Sequence, residues 1–389
     1  MKILHFISAP EDNGDVTTVY VSTLVESLGS RAEVILLNAN TQAASLYKKQ
    51  TKDFNPDIVH IHTCWDMPSA QMAKWAHSNN MPVVLSPHGK LEPWVVDDNY
   101  LHEKLPKLLL YQHEMICNAD AIVVTGNMEL QALNELSWNA SLKSKKPWND
   151  RVCIIKNAVT TNTISNEQMA EQMVRLYRKV IDSNAGMLMS AEAREAENGL
   201  LRAGIARSER SNNITEKQIE AIQGLDDESW RKLFIHADDE DVLHLIKKGI
   251  EEMQFTAPHI VIQDIERFAQ RLPKARGPLE SENVAEKTLR SRFKPWEEVL
   301  LKDKDDNPVT SVELDFCRMI ANTQHEMKKA TLSLRHLTDI YQLMRFTELD
   351  EELISRILKD TELYEFTQQL QQTLSQTLGL TEGYMIVES

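Results

Sequence analysis

Residues 83–94 read VVLSPHGKLEPW: a short β-branched run that stops at a loop holding a His, a Gly, an acid and a Trp. The chain has only 12 glycines and 6% aromatic residues in 389, so a Gly and a Trp in one short loop stand out. A strand that ends in such a loop is where α/β proteins carry their chemistry, just beyond the carboxyl ends of parallel strands. Working outward, the same texture repeats on both sides. KILHFIS (2–8), AEVILLN (32–38), PDIVHIH (56–62), PVVLS (82–86), DAIVVT (120–125) and RVCIIKNAV (151–159) are apolar runs of strand length. Helical patterns separate most of them: TTVYVSTLVESLGS (17–30), PSAQMAKWAHSNN (68–80), LPKLLLYQHEMICNA (105–119) and NMELQALNELS (127–137). Short strands alternating with amphipathic helices predict a doubly wound, Rossmann-like parallel sheet.

Beyond about residue 160 the helix formers Glu, Gln, Lys, Leu, Met and Ala dominate. SNEQMAEQMVRLYRKVIDS (165–183) sets Met169, Met173, Leu176, Tyr177 and Val180 on one helical face, behind a capping box of Ser165 and Gln168. DDEDVLHLIKKGIEEM (238–253) reads as a helix with acids in its first turn, and HIVIQDIERFAQRL (259–272) as another. LPKARGPLESE, FKPWEE and KDKDDNPV mark an irregular connector, and the last ~75 residues spell two or three long amphipathic helices. The chain therefore divides into a Rossmann-like domain (1–163), a helical region (164–270), a connector (271–310) and a second helical region (311–389).

Composition narrows the function classes. The net charge of −15 falls mostly on the second part, with −3 in residues 1–160 and −12 after them. That acidity repels phosphate backbones and anionic lipid, so no nucleic-acid partner is expected. No window approaches ~18 consecutive apolar residues, so no membrane span is expected. Cys64, Cys117, Cys153 and Cys317 are scattered without a CxxC pair. Neither zinc nor a disulfide framework fits, and a cytoplasmic setting does.

Three strand-end features carry candidate chemistry. In SAPEDNGDVTT (8–18), Gly14 and the helix start could offer backbone N–H groups to a ligand, although Asp12 and Asp15 oppose an anion and an ordinary capped turn is the plainer alternative. In SPHGKLEPW, His88 can donate to a sugar hydroxyl or a developing charge and Gly89 allows close backbone approach. Glu92 can accept from hydroxyls, and Trp94 can stack on a pyranose. His60 and His62 alternate along one strand and share a face. Two His without a third convergent ligand make a poor zinc site, so no metal is expected and packing is the better account.

Taken together, MKILHF with its Gly loop, PDIVHIHTCW, PVVLSPHGKLEPW, ADAIVVTGNMELQAL and RVCIIKNAVTTNTIS make residues 1–163 resemble the amino-terminal half of family 4 glycosyltransferases of the GT-B fold. In that family two Rossmann-like domains face a cleft. The first mainly binds the acceptor, the second binds the nucleotide-sugar, and transfer retains the anomeric configuration. The resemblance implies that His88 is catalytic, lying against the transferred sugar, and that Gly14 approaches the donor phosphates. With Gly14, the ligand-binding candidates are Asp15, Gly89, Glu92, Trp94, Thr125, Glu129 and Asn157. There are departures. Lys156 and Ala158 replace the usual Pro and Gly, and a single Gly serves the first loop. After residue 163 neither the "GR…KG" segment nor the Gly-flanked "E-x7-E" element of the second domain is found in its context of a strand and a Gly-rich loop. A leaving nucleotide diphosphate needs preorganised donors, each worth about 3 kcal/mol. The expected function is therefore a glycosyltransferase-like protein of glycan or polysaccharide biosynthesis, a hexosyltransferase with a nucleotide-sugar donor if active. The alternative is a non-catalytic glycan- or partner-binding assembly protein derived from such an enzyme. No cofactor is expected beyond that donor. Expected partners are a glycan or lipid-linked sugar acceptor, with a protein partner or self-association through the carboxyl-terminal helices.

Overall fold

The computed structural model describes residues 1–8, 15–40, 42–135, 149–161, 163–207, 214–302 and 307–388. The chain separates into two compact units, residues 1–188 with 263–269, and residues 189–262 with 270–389.

The first unit is a Rossmann-like, doubly wound α/β sheet. Its strands are β1 (Lys2–Ile7), β2 (Glu33–Asn38), β3 (Ile58–Ile61), β4 (Val83–Leu85), β5 (Ala121–Val124) and β6 (Val152–Ile154). They lie in the order β2-β1-β3-β4-β5-β6, and every pairing is parallel. The helices are α1 (Val16–Leu28), α2 (Ala44–Phe54), α3 (Met67–Ser78), α4 (Pro93–Asp97), α5 (Leu105–Lys107), α6 (His113–Asn118), α7 (Asn127–Glu135) and α8 (Asn166–Ser183). Strand side chains alternate between faces, which produces two apolar layers. Leu4, Phe6, Val59, Ile61, Val83 and Leu85 pack with Met72, Ala73 and Ala76 of α3. Ile3, Ile7, Ile58, Val84 and Val123 pack with Tyr20, Val21 and Leu24 of α1 and with Met169, Met173, Tyr177 and Val180 of α8. The capping box of Ser165 and Gln168 forms as expected, and α8 closes one face of the sheet although it lies beyond residue 163.

Several local expectations are corrected. The helix expected over 105–119 forms but starts earlier, at Tyr100, and its backbone stays helical to Asn118 while widening to π-type turns at Tyr100–Lys104 and Leu108–Gln112 on either side of the short α5 that contains Pro106. Residues 259–272 are not a helix. They run irregularly apart from one 3-10 turn at Ile262–Asp264. Phe268 enters the sheet unit's apolar layer there, donating its N–H to Ser183 Oγ at 2.8 Å beneath the Lys179 ammonium. Tertiary burial of two widely spaced apolar residues, Ile262 and Phe268, outweighs a weak helical pattern.

The second unit is helical: α9 (Ala191–Ile205), α10 (Glu216–Gln223), α11 (Asp227–Asp239), α12 (Leu243–Glu252), α13 (Lys287–Leu300), α14 (Val312–Lys328), α15 (Leu334–Phe346), α16 (Glu351–Asp360) and α17 (Tyr364–Leu378). The acids of DDED end α11 and turn the chain at Asp241 (φ +58°) rather than opening α12. The connector expected over 271–310 contains α13, which runs through Pro295 and is held by the buried Leu289 and Phe293. Among the described residues no helix is long and apolar enough to cross a membrane.

Candidate functional site

The loop after β4 is held from every side. Ser86 donates its N–H to Ile61 O at 2.8 Å, extending the β3–β4 ladder past Leu85. His88 (φ +50°) and Gly89 (φ +78°) are then both left-handed. A non-glycine residue in that region is strained and persists only where its surroundings enforce it. Here they do. Glu129 of α7, buried, accepts the Gly89 N–H on Oε1 while its Oε2 accepts the N–H (2.8 Å) and hydroxyl (3.1 Å) of Thr125. Lys90 Nζ donates to Thr63 Oγ1 at 2.8 Å, Trp65 Nε1 donates to Lys90 O at 2.7 Å, and Leu91 is fully buried. The β4 loop is thus pinned to the ends of both β3 and β5.

Behind it lies a column of imidazoles. His5 of β1 pairs in register with His60 of β3, and His62 comes two residues later on the same face. His5 Nδ1 is hydrogen-bonded to His62 Nε2 at 2.8 Å, and His62 Nδ1 to His88 Nε2 at 3.1 Å. His60 is held between the Tyr177 hydroxyl (2.6 Å from Nδ1) and Ser86 Oγ (2.7 Å from Nε2), with its ring centroid 3.9 Å from that of His62. Tyr20 of α1 sits edge-on to His88 at 4.9 Å. Desolvation makes these rings neutral. Burial pushes His5 down to about 3, and burial, then neighbouring rings, hold His60 and His62 well below the ordinary imidazole value. His88 is pushed down to about 4 by burial first and Lys90 second, against the pull of Asp15. Burial raises Tyr177 well above the usual phenol range, so its hydroxyl keeps its proton.

The candidates named from sequence take different places. His88 is partly exposed at the loop tip beside Gly89, and Glu92 stands at the first position before α4 without a side-chain capping bond, its carboxyl raised by burial and then by Glu129. Trp94 stands 60% exposed on α4, a ring free to stack. Asp15 caps α1, accepting from the Thr18 N–H at 3.1 Å. Gly14 and Asp12 lie outside the described residues. Thr125 and Glu129 meet as the brace of the β4 loop. Asn157 accepts from the Val159 N–H (2.8 Å) and the Thr160 N–H (3.3 Å), shaping the turn after β6.

Sequence reasoning missed His5, Ser86, Tyr20 and Tyr177 as partners of His60, His62 and His88. The available signal was KILHFI: a His in mid-strand, in step with the HIH of a neighbouring strand. The nitrogens of His5, His60 and His62 lie within 4.8 Å of one another, close enough to hold a metal ion. Each of the three rings already spends at least one nitrogen on a hydrogen bond.

Comparison with known proteins matches residues 10–141 to the family model described as "Glycosyl transferase 4-like domain". The match starts after β1, covers α1 through α7 and includes the whole β4 loop. No curated protein and no solved structure matches the chain.

Proposed function

We propose that this chain, whose residues 10–141 form a glycosyltransferase 4-like domain, works in glycan or polysaccharide assembly by binding a sugar-bearing acceptor at the β4 loop. The observation that carries this is the strained His88, followed by the left-handed Gly89 and enforced at the carboxyl end of a central strand by Glu129, Lys90 and Trp65. Strain retained under so many constraints is characteristic of ligand sites. His88 supplies the polar contact to the sugar, Glu92 accepts from its hydroxyls, and Trp94 offers a stacking face. Cys64, Cys117, Cys153 and Cys317 are not disulfide-bonded, which supports a reducing, cytoplasmic setting.

A second reading, a non-catalytic binding or assembly protein, is favoured by one observation. The described residues of the second unit are helical and include no parallel sheet, so the Gly-rich βα loops that grip a diphosphate are not seen among them.

Thermal unfolding with added ligand separates the two. A ligand of the folded state at about 100 times its Kd stabilises by about 2.7 kcal/mol. A rise in Tm with millimolar UDP- or GDP-hexoses supports the transferase. A rise with oligosaccharides alone supports the binding protein. His88→Ala is expected to abolish the oligosaccharide shift, and an undiminished shift retires the β4 loop as the site.

A further inference from the structure

The column of imidazoles has a direction, and that direction determines what His88 can offer. A neutral imidazole has one N–H donor and one bare acceptor nitrogen. His62 is hydrogen-bonded at both nitrogens, so it donates at one and accepts at the other. Only two polarities satisfy the chain. If His88 donates inward to His62 and His62 to His5, the His5 proton sits on Nε2. That atom is fully buried and has no hydrogen-bond partner. This polarity would leave an orphaned, buried N–H on the sheet face that carries Ile3 and Ile7. The reverse leaves only a bare lone pair there. Buried N–H groups without acceptors are rare in folded proteins, rarer than under-used acceptors.

We infer that the buried His5–His62–His88 chain runs outward and holds His88 as its Nδ1–H tautomer, so that the β4 loop presents a hydrogen-bond donor. His5 Nδ1 donates to His62 Nε2, and His62 Nδ1 donates to His88 Nε2. The proton of His88 is then on Nδ1, which has no partner among the described residues and is not buried. Tautomers derive from the network in this way because the heavy-atom positions alone do not carry them. His60 stays out of the chain, engaged by Tyr177 and Ser86, with its ring tilted against that of His62.

His5 and His62 are therefore positioning residues for a nitrogen they do not touch. On the reading that His88 faces the ligand, the group opposite it is an oxygen acceptor: a sugar hydroxyl, carbonyl or phosphate oxygen. An ammonium or other donor-only group is disfavoured, and His88 Nδ1 is not a proton acceptor in this state.

The test is long-range ¹H–¹⁵N correlation spectroscopy on the full chain with ¹⁵N-labelled histidine at pH 7.5, with His88 assigned by loss of its signals in His88→Gln. The expected pattern is a proton on Nδ1 and a bare Nε2 for His88, His62 and His5 alike. An Nε2–H tautomer, an averaged pair or an imidazolium at His88 overturns the inference, and the wild-type spectrum alone decides this. His5→Leu removes the inner donor and is expected to release His62 and His88 toward Nε2–H. His5→Gln, whose amide can donate to His62 Nε2, is expected to preserve Nδ1–H at His88. If both variants keep the wild-type pattern, the polarity does not come from His5. If His5, His60 and His62 instead shift together with one equivalent of zinc, a metal centre replaces the chain. Oligosaccharide or nucleotide-sugar titration is read separately. A ligand that leaves the Nδ1–H signal unmoved retires the ligand reading at His88 and leaves the tautomer assignment standing.

Discussion

Glu129 shows how one side chain can matter to a site without facing a ligand. Its carboxylate accepts three hydrogen bonds, from Gly89 N–H and from the N–H and hydroxyl of Thr125, and the residue is buried. Glu129→Gln keeps the size but replaces one acceptor oxygen with an NH2 group. Either the Gly89 or the Thr125 donor then faces another donor, at a cost of about 1–3 kcal/mol. Chemical denaturation is expected to register that loss. Oligosaccharide affinity is expected to fall with it, since the backbone of the strained loop is released. A stable, fully binding Glu129→Gln protein would show that the loop holds itself. A carboxylate near the start of a helical pattern reads equally well as a ligand contact or a brace. Only the position of Gly89, forty residues earlier, separates the two readings.

At the scale of elements, α8 was plain in its periodicity but not in its allegiance. All of Met169, Met173, Leu176, Tyr177 and Val180 are buried as their spacing requires. That the stripe covers the sheet was invisible, because a stripe records that a face is buried and not against what. Tyr177→Phe tests the docking. It leaves His60 Nδ1 without its 2.6 Å partner in a fully buried place, so the unit is expected to lose about 1–3 kcal/mol. Equal unfolding midpoints for the two proteins would refute this. In the second unit, α9 and α12 cross at two glycines. A methyl at Gly204 would overlap the backbone carbonyl of Leu245, and one at Gly249 that of Leu200. Gly204→Ala is expected to destabilise that unit despite Ala's better helix propensity, by overpacking worth about 1–3 kcal/mol. A neutral or stabilising effect would show that the helices can separate freely. Other elements were hard to see for identifiable reasons. α2 buries little besides Tyr47 and Thr51, and α13 contains Pro295, which in sequence marks a break.

For the whole molecule, the buried imidazoles set the response to acid. An imidazole whose folded-state value lies below its unfolded value near 6.5 takes up a proton only on unfolding, so its contribution is complete above pH 6.5 and erodes below it. For His5, held at about 3, the loss between pH 7 and pH 5 is about 2 kcal/mol, and His60 and His62 act in the same direction. Amide exchange of β1 and β3 in the intact chain, corrected for intrinsic rates, is expected to show this drop, and His5→Phe to reduce it. Opening free energies equal at the two pH values would sink the assignment of buried neutral rings. The sequence by itself determined the parallel sheet, the strand-end position of His88 and Gly89, and the helical character of the chain beyond residue 163, because alternation and helical spacing are local properties. Tertiary structure alone decided that His5, His60, His62 and His88 form one column, that Glu129 braces a loop forty residues away, and that α8 belongs to the sheet. Those facts depend on which strands become neighbours and which faces meet, and desolvation then converts the contacts into chemistry that no separate segment possesses.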